Sequence, residues 1–388
     1  MITMENKKYN VLMMVSWYGP KADRLSGGIF HYEQVKSLNK FCNCAIYYPY
    51  DRTLDTPTYS GVDWGIKTYR SKYALEKKIR NRVYMIKAMK LIVKEFKPDI
   101  IHGNVATEAG RFAIMLGKLF NIPVIISEHS AVEASGVLTF PHHMYANVVY
   151  KLSDYNSCVS DKLTERLREI FPKYTFHTIY NGIPAESVYQ SNTTKTDRYR
   201  KDESINASVV AGFYDKNIKG FQFLLPAIKK LVDEGENILF HFVGGGTYLD
   251  YYKNMAKDLG IEDVCIFYGT CQKQEVYDIV SEMDFMVSAS LFESFGCSIA
   301  EGMMLGKPAV VTRCGGLESI VNSETGILVD AGSSDELYHG IKRMMKEYSG
   351  YSQDQLKDYA LNKFEVDHIS KQYMEVYEKV LAGRKKKK

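Results

Sequence analysis

The chain has 388 residues, more than one ordinary core requires, which sets an expectation of two domains. Its 45% hydrophobic and 25% charged residues fit a water-soluble globular protein that needs neither disulfide nor metal to hold a core together. The formal net charge of +4 is small, and no stretch reaches the ~18 apolar residues of a membrane span.

In chain order, the first apolar run is residues 11–15. It follows a basic start, yet falls short of the roughly 7–15 apolar residues of a signal peptide, and so reads as a buried strand. Further runs lie at 45–48, 99–102, 124–127, 157–160 and 177–180. A second set occupies 207–211, 239–243, 265–268, 285–288, 309–312 and 326–329. Runs of four to six residues without strict alternation describe strands buried on both faces, and helical patterns separate them. The expected fold is therefore α/β, two doubly wound Rossmann-like domains of parallel sheet. Residues 186–206, polar and nearly free of large aliphatics, read as a linker or surface insertion between the two sets. Sheets of this kind take ligands at the carboxyl ends of their strands, so the site is expected in a cleft where the two domains face one another.

Charge is unevenly placed. Between Lys67 and Lys97 a basic run that includes Arg70, Arg80, Lys87 and Lys94 is opposed only by Glu76 and Glu95. Its helical part either lies on an anionic membrane surface or forms a solvated face over a core helix. Nucleic acid is the weaker reading, because no recognised binding motif accompanies the charge. The seven cysteines contain no CxxC pair. Cys42 and Cys44 read as neighbours on one face of a strand, and the set as small buried hydrophobes in a reducing, cytoplasmic setting.

Residues 288–330 carry the most chemistry. After a strand ending near Ser288, a loop presents Glu293-Ser294-Phe295-Gly296, and an apolar-periodic helix follows to about Leu305, stopped by Gly306 and Pro308. Amides exposed at that helix start, around Gly296 to Ser298, form a phosphate cradle. Glu301, about one turn deeper, can bridge two ribose hydroxyls through its two oxygens. Glu293, at the loop mouth, can meet a sugar ring or charge developing beside the phosphate. An isolated pair of glutamates would read as a solvated face; the flanking Gly306-Lys307-Pro308 and Cys314-Gly315-Gly316 reverse that reading.

Glu-Ser-Phe-Gly, four residues, Glu301, four residues and Gly-Lys-Pro together resemble the signature of the family 4 retaining glycosyltransferases, which adopt the two-domain GT-B architecture. Also similar to that family are Gly27-Gly28-Ile29-Phe30, Asn181-Gly182-Ile183-Pro184, Val243-Gly244-Gly245-Gly246, Phe267-Tyr268-Gly269 and Gly315-Gly316-Leu317-Glu318, so the resemblance spans almost the whole chain. It implies an acceptor-binding domain over residues 1–184 and a nucleotide-sugar domain over 185–365. A helix at 366–383 would cross back to the first domain, with a basic tail at 384–388.

The resemblance further implies that Glu301 holds the donor ribose, Glu293 contacts the donor sugar near the reacting centre, and Lys219 neutralises the diphosphate. Gly28 would admit a backbone amide to that diphosphate, and His129 would stand near the transferred sugar, with Glu128 either orienting it or facing solvent. Gly244, Gly269, Phe295, Gly296 and Cys297 complete the donor set. The implied reaction is a retaining transfer, without metal or cofactor, from a nucleotide sugar (UDP-sugar before others) to a saccharide or lipid-linked acceptor in surface polysaccharide or glycolipid assembly. Residues 131–150 would line the acceptor side, at the inner face of a membrane.

One position departs from the pattern. An arginine commonly follows the glycine after the first strand of the second domain; here Gly212 precedes Phe213, and Lys216 is left as a substitute point charge. This keeps open a non-catalytic donor-binding subunit, and the shared architecture keeps open a nucleotide-sugar 2-epimerase. No Asp-x-Asp occurs, and His102 and the His142-His143 pair are not at zinc spacing.

Overall fold

The computed structural model describes residues 9–19, 28–75, 77–130, 132, 136–190, 198–199, 203–214 and 216–385. Gly27, Glu76, Ala131, residues 133–135, residues 191–197 and 200–202 of the expected linker, and the last three lysines lie outside the described residues. The chain divides into two compact units, residues 1–182 with 366–388, and residues 183–365.

The first unit runs β1 (Asn10–Met14), α1 (Ile29–Leu38), β2 (Asn43–Asp51), β3 (Thr58–Asp63), β4 (Ile66–Lys72), α2 (Lys78–Glu95), β5 (Ile100–Asn104), α3 (Arg111–Phe120), β6 (Val124–Glu128), α4 (His142–Leu152), β7 (Tyr155–Cys158), α5 (Asp161–Ile170) and β8 (His177–Thr178). The strands form one sheet in the order β3-β4-β2-β1-β5-β6-β7-β8. All neighbours are parallel except β3 and β4, an antiparallel pair at the edge. Short apolar strands such as Val11 to Met14 and Ile100-Ile101 are buried, as a sheet covered on both faces requires.

The β3–β4 pair is absent from the sequence reading, which placed Lys67, Arg70 and Lys72 in a basic run. Arg70 is in fact fully buried, 2.8 Å from both Asp51 and Asp63. Lys67 lies 3.3 Å from Glu95. The cationic surface therefore starts later, on α2, where Arg80, Arg82, Lys87, Lys90 and Lys94 are exposed while Met85, Met89 and Ile92 are buried. The strand expected at 157–160 ends at Cys158 because Ser160 caps α5, its Oγ accepting from the Leu163 amide at 3.3 Å. Cys42 precedes β2 rather than lying in it, its Sγ 3.4 Å from that of Cys44, and both are buried free thiols.

The second unit contains α6 (Ala185–Tyr189), β9 (Ile205–Val210), α7 (Phe221–Asp233), β10 (Ile238–Val243), α8 (Leu249–Asp258), β11 (Cys265–Gly269), α9 (Lys273–Glu282), β12 (Phe285–Ser288), α10 (Cys297–Met304), β13 (Ala309–Arg313), β14 (Gly326–Asp330), α11 (Ser334–Glu347) and α12 (Gln353–Phe364). Its sheet is wholly parallel, in the order β11-β10-β9-β12-β13-β14. Helix α6 occupies the start of the stretch read as a linker, and β9 its end.

The last helix, α13 (Val366–Lys385), belongs to the first unit. Tyr373, Tyr377 and Val380 join Val11, Ile46, Ile100 and Ile125 in one core, and Ser37 bonds to Asp367 and Ser370 at 2.7 Å each. His102 lies in this core, between Tyr377 Oη at 2.9 Å and Ser127 Oγ at 2.6 Å. Where the chain passes between units, Ile183 pairs with Glu365, its amide donating to the Phe364 carbonyl at 2.7 Å. Among the described residues no helix is long and apolar enough to cross a membrane.

Candidate active site

In the second unit, two loops at the carboxyl ends of adjacent strands bring the candidate donor residues together. The turn after β9 is held against the loop after β12 by the Leu291 amide, which donates to the Ile218 carbonyl at 2.7 Å. This sets Lys219 Nζ 2.6 Å from Glu293 Oε2. The backbone of Glu293 is fixed on its other side. Its amide donates to the Cys314 carbonyl at 3.2 Å, and its carbonyl accepts from the Gly316 amide at 2.7 Å. Glu318 in turn accepts from the amides of Cys314 and Gly315 at 3.1 and 2.7 Å. The glycine pair and Glu318 thus act through the placement of Glu293.

Helix α10 opens four residues after Glu293, at Cys297. Gly296 precedes it with φ +106°, a left-handed conformation, and a Cβ there would run into the Leu317 side chain. Its first turn, at Cys297 and Ser298, presents amides that lack partners within the helix and carries the positive end of the helix dipole. Glu301 lies on this helix, with Oε1 3.2 Å from Lys273 Nζ at the start of α9. Lys273 was missed in the sequence, because a lysine opening a surface helix carries no local signal. Gly244 follows β10, and its amide donates to the carbonyl of Gly269, which ends β11, at 2.9 Å.

Two side chains of the expected donor set have other partners. The Phe295 ring is buried and packs edge-on against Phe364, centroids 5.5 Å apart, so its side chain is core and only its backbone borders the site. Lys216 does not join Lys219: its ammonium rests over the Tyr251 ring, 4.3 Å from the centroid, on α8. The departure at Phe213 also has a physical account. Its ring is fully buried and stacks on Phe221 at 4.5 Å, filling core volume.

In the first unit, Gly28 precedes α1 with φ +83°, and a Cβ would meet Tyr18 Cα at 2.9 Å, so the chain can make this turn only with glycine. Beyond it, Phe30, His31 and His129 cluster: Phe30 lies 5.1 Å from His129 and 3.8 Å from His31, centroid to centroid. His31 Nδ1 is 2.8 Å from Asn104 Nδ2. Burial pushes the His129 pKa down to about 4, so the ring is neutral and able to accept a proton or a hydroxyl hydrogen. Glu128 neither orients that ring nor faces solvent. It is buried, and its Oε2 accepts from the Ala106 amide at 3.0 Å and from Tyr150 Oη at 2.9 Å. It pins the segment after β5, and burial raises its pKa. His142 and His143 pack against Tyr145 and Phe171, respectively.

Also in this unit, a polar cavity of about 600 Å³ opens at the carboxyl ends of β1, β2 and β4, between Tyr18, Tyr50, Arg52, Tyr73, Glu108 and Arg111. The sequence reading named none of these, since they come from four separate segments.

The profile of glycosyl transferases group 1 matches residues 192–363, and that of glycosyltransferase family 4 matches residues 41–187. An uncharacterized glycosyltransferase of Methanocaldococcus jannaschii is 28% identical over 68% of this chain and 70% of its own. The alpha-monoglucosyldiacylglycerol synthase of Streptococcus pneumoniae is 27% identical over 56% of this chain and 53% of its own. The fold is shared with Anabaena HepE, solved in complex with UDP, at a TM-score of 0.75 and 16% identity, over 95% of this chain and all of that one. The chain belongs to the family 4 glycosyltransferases of GT-B architecture.

Proposed function

We propose that this glycosyltransferase transfers a sugar from a UDP-sugar to a saccharide or lipid-linked acceptor with retention of configuration and without a metal ion, in surface polysaccharide or glycolipid assembly. The observation that carries the reading is the Lys219–Glu293 pair at the mouth of α10, with Glu301 on the same helix. Lys219 and the first amides of α10 supply positive potential where a diphosphate leaving group gathers charge, the arrangement that lowers a transfer barrier most. Glu301 receives the ribose hydroxyls once Lys273 is displaced. Glu293 fixes Lys219 and faces the reacting sugar, and Gly28 and the neutral His129 serve from the first unit.

UDP as the nucleotude carrier is supported by the fold shared with HepE, whose structure holds UDP. A lipid-linked acceptor is supported by the similarity to a diacylglycerol glycosylating enzyme and by the exposed cations and exposed Ile79 and Val83 of α2, which suit an anionic membrane surface. A second reading, a donor-binding subunit without turnover, draws on the buried Phe213 in place of an arginine.

One assay separates the two: release of nucleoside diphosphate from UDP-, GDP- and ADP-sugars with chelator present. Release from the UDP-sugar supports transfer. Calorimetric binding of UDP-sugar with no release, even with membrane extract added, favours the subunit reading.

A further inference from the structure

The tyrosine-lined cavity of the first unit has a charge pattern that specifies its ligand. Its walls come from the carboxyl ends of parallel strands, where open α/β sheets bind small molecules. About 600 Å³ suits one or two sugar rings. Tyr50 and Tyr73 stand edge to face, 5.4 Å apart, and present the aromatic surface on which a pyranose stacks.

The charges divide into a closed group and an open one. Arg70 is fully buried and gives four hydrogen bonds to Asp51, Asp63 and the Gly19 carbonyl, and Asp51 also accepts from the Thr53 amide and hydroxyl at 2.8 and 2.6 Å. The charges of that group are met within it, Arg70 by two carboxylates. Arg52 and Arg111 are different: among the described residues no carboxylate lies within ion-pairing distance of either. Arg52 lies 6.0 Å from the Tyr73 centroid, and Arg111 lies 4.7 and 5.7 Å from those of Phe112 and Tyr145. The Arg111 Nε is buried without a hydrogen-bond partner, and the same guanidinium faces the Tyr50 hydroxyl across the cavity wall. A buried guanidinium N–H left unpaired is costly, and an oxyanion that bonds it in the plane of the fork removes that cost. Glu108 is the one acid in the wall outside the closed group; burial raises its pKa against the opposing pull of Ser16 and Arg111, which weakens its opposition to an anion.

We infer that this cavity binds the acceptor through an anionic substituent, a phosphate or carboxylate carried on a saccharide, held by Arg111 and Arg52 with the ring against Tyr50 and Tyr73. The inference rests on the proposed transfer reaction and adds the class of acceptor.

The test is calorimetry with UDP present at saturation, so that the nucleotide site is filled. Glucose 6-phosphate and glucuronate are titrated against glucose as neutral control. At least one anionic sugar is expected to bind tenfold or more tightly than glucose; a lead for glucose 6-phosphate identifies a phosphorylated acceptor, and a lead for glucuronate a carboxylated one. Arg111→Gln and Arg52→Gln should each erase the preference with an unchanged thermal midpoint. Equal binding of the three sugars, or a preference that survives both substitutions, overturns the inference. UDP-sugar hydrolysis by the same wild-type preparation separates the levels: hydrolysis without anion preference removes this inference alone. Anion preference without hydrolysis of any donor removes the acceptor assignment together with the transfer reading.

Discussion

The two units manage charge in opposite ways at the carboxyl ends of their sheets. In the second, each candidate carboxylate already holds a lysine: Glu293 with Lys219 and Glu301 with Lys273. In the first, His31 Nε2 and Arg111 Nε are buried without partners, and His31, His102 and His129 are kept neutral by burial. The candidate donor residues are thus ion pairs, which an anionic ligand would have to re-sort. The first unit instead keeps unsatisfied donors and a neutral base, suited to hydroxyls and to one localised anion.

Substitutions that break one side of this contrast should differ in kind. Glu293→Ala removes the partner that fixes Lys219 and should lower UDP-sugar hydrolysis on the order of 10²–10³-fold, read as the initial rate of UDP release. In the first unit the largest effect is on stability rather than rate. Arg70→Met leaves Asp51 and Asp63 as buried, unpaired acids and should cost ~3–5 kcal/mol in urea unfolding. Replacing all three by apolar residues should recover most of that loss. Smaller still is the donor effect at Glu301. Glu301→Ala should raise the KM for the UDP-sugar on the order of tenfold by removing a charged acceptor from the ribose. Lys273→Met, which frees Glu301 from a partly exposed ion pair, should shift KM by less than about fivefold, and downward.

The contrast also has a pH signature. His102 and His129 titrate in the folded chain near 3 and 4, below the ordinary 6.5, and His31 lies well below it too. As pH falls below about 6.5, the unfolded chain takes up protons that the folded chain refuses, so stability is full above that value and declines toward pH 4. Glu108 and Glu128, with raised pKa values, act in the opposite sense and blunt the decline. The thermal midpoint should therefore drop between pH 7 and 4.5, with a shallower slope in His102→Gln. A midpoint independent of pH over that range would contradict neutral burial of the histidines.

The same contrast explains what the sequence made legible. The second site is built from short contiguous segments, 216–220, 293–301 and 314–318, so Glu293 and Glu301 stood out with their flanking glycine turns, and the resemblance to the family added Lys219. Its buried parallel strands were equally plain, since each is short and mostly apolar, with only Asn206, Ser208 and His241 interrupting β9 and β10. The edge pair β3–β4 was not, because Thr58 to Lys72 is polar and its decisive residue, Arg70, is charged; only the tertiary arrangement of Asp51 and Asp63 makes burial possible. Arg52, Arg111 and Lys273 escaped for a related reason. Each is an ordinary basic residue locally, and its contacts with Tyr73, Tyr145 or Glu301 come from residues distant in the chain. Phe295 and Lys216 differ again: a motif names the position but does not fix where the side chain points.

The central claim is that Lys219, held by Glu293, neutralises the departing diphosphate. Its most direct test is the rate of UDP release from the UDP-sugar by Lys219→Ala in chelator, with the thermal midpoint as a fold control. The account predicts at least a hundredfold loss with the midpoint unchanged. A rate within a few-fold of the wild-type value would contradict it.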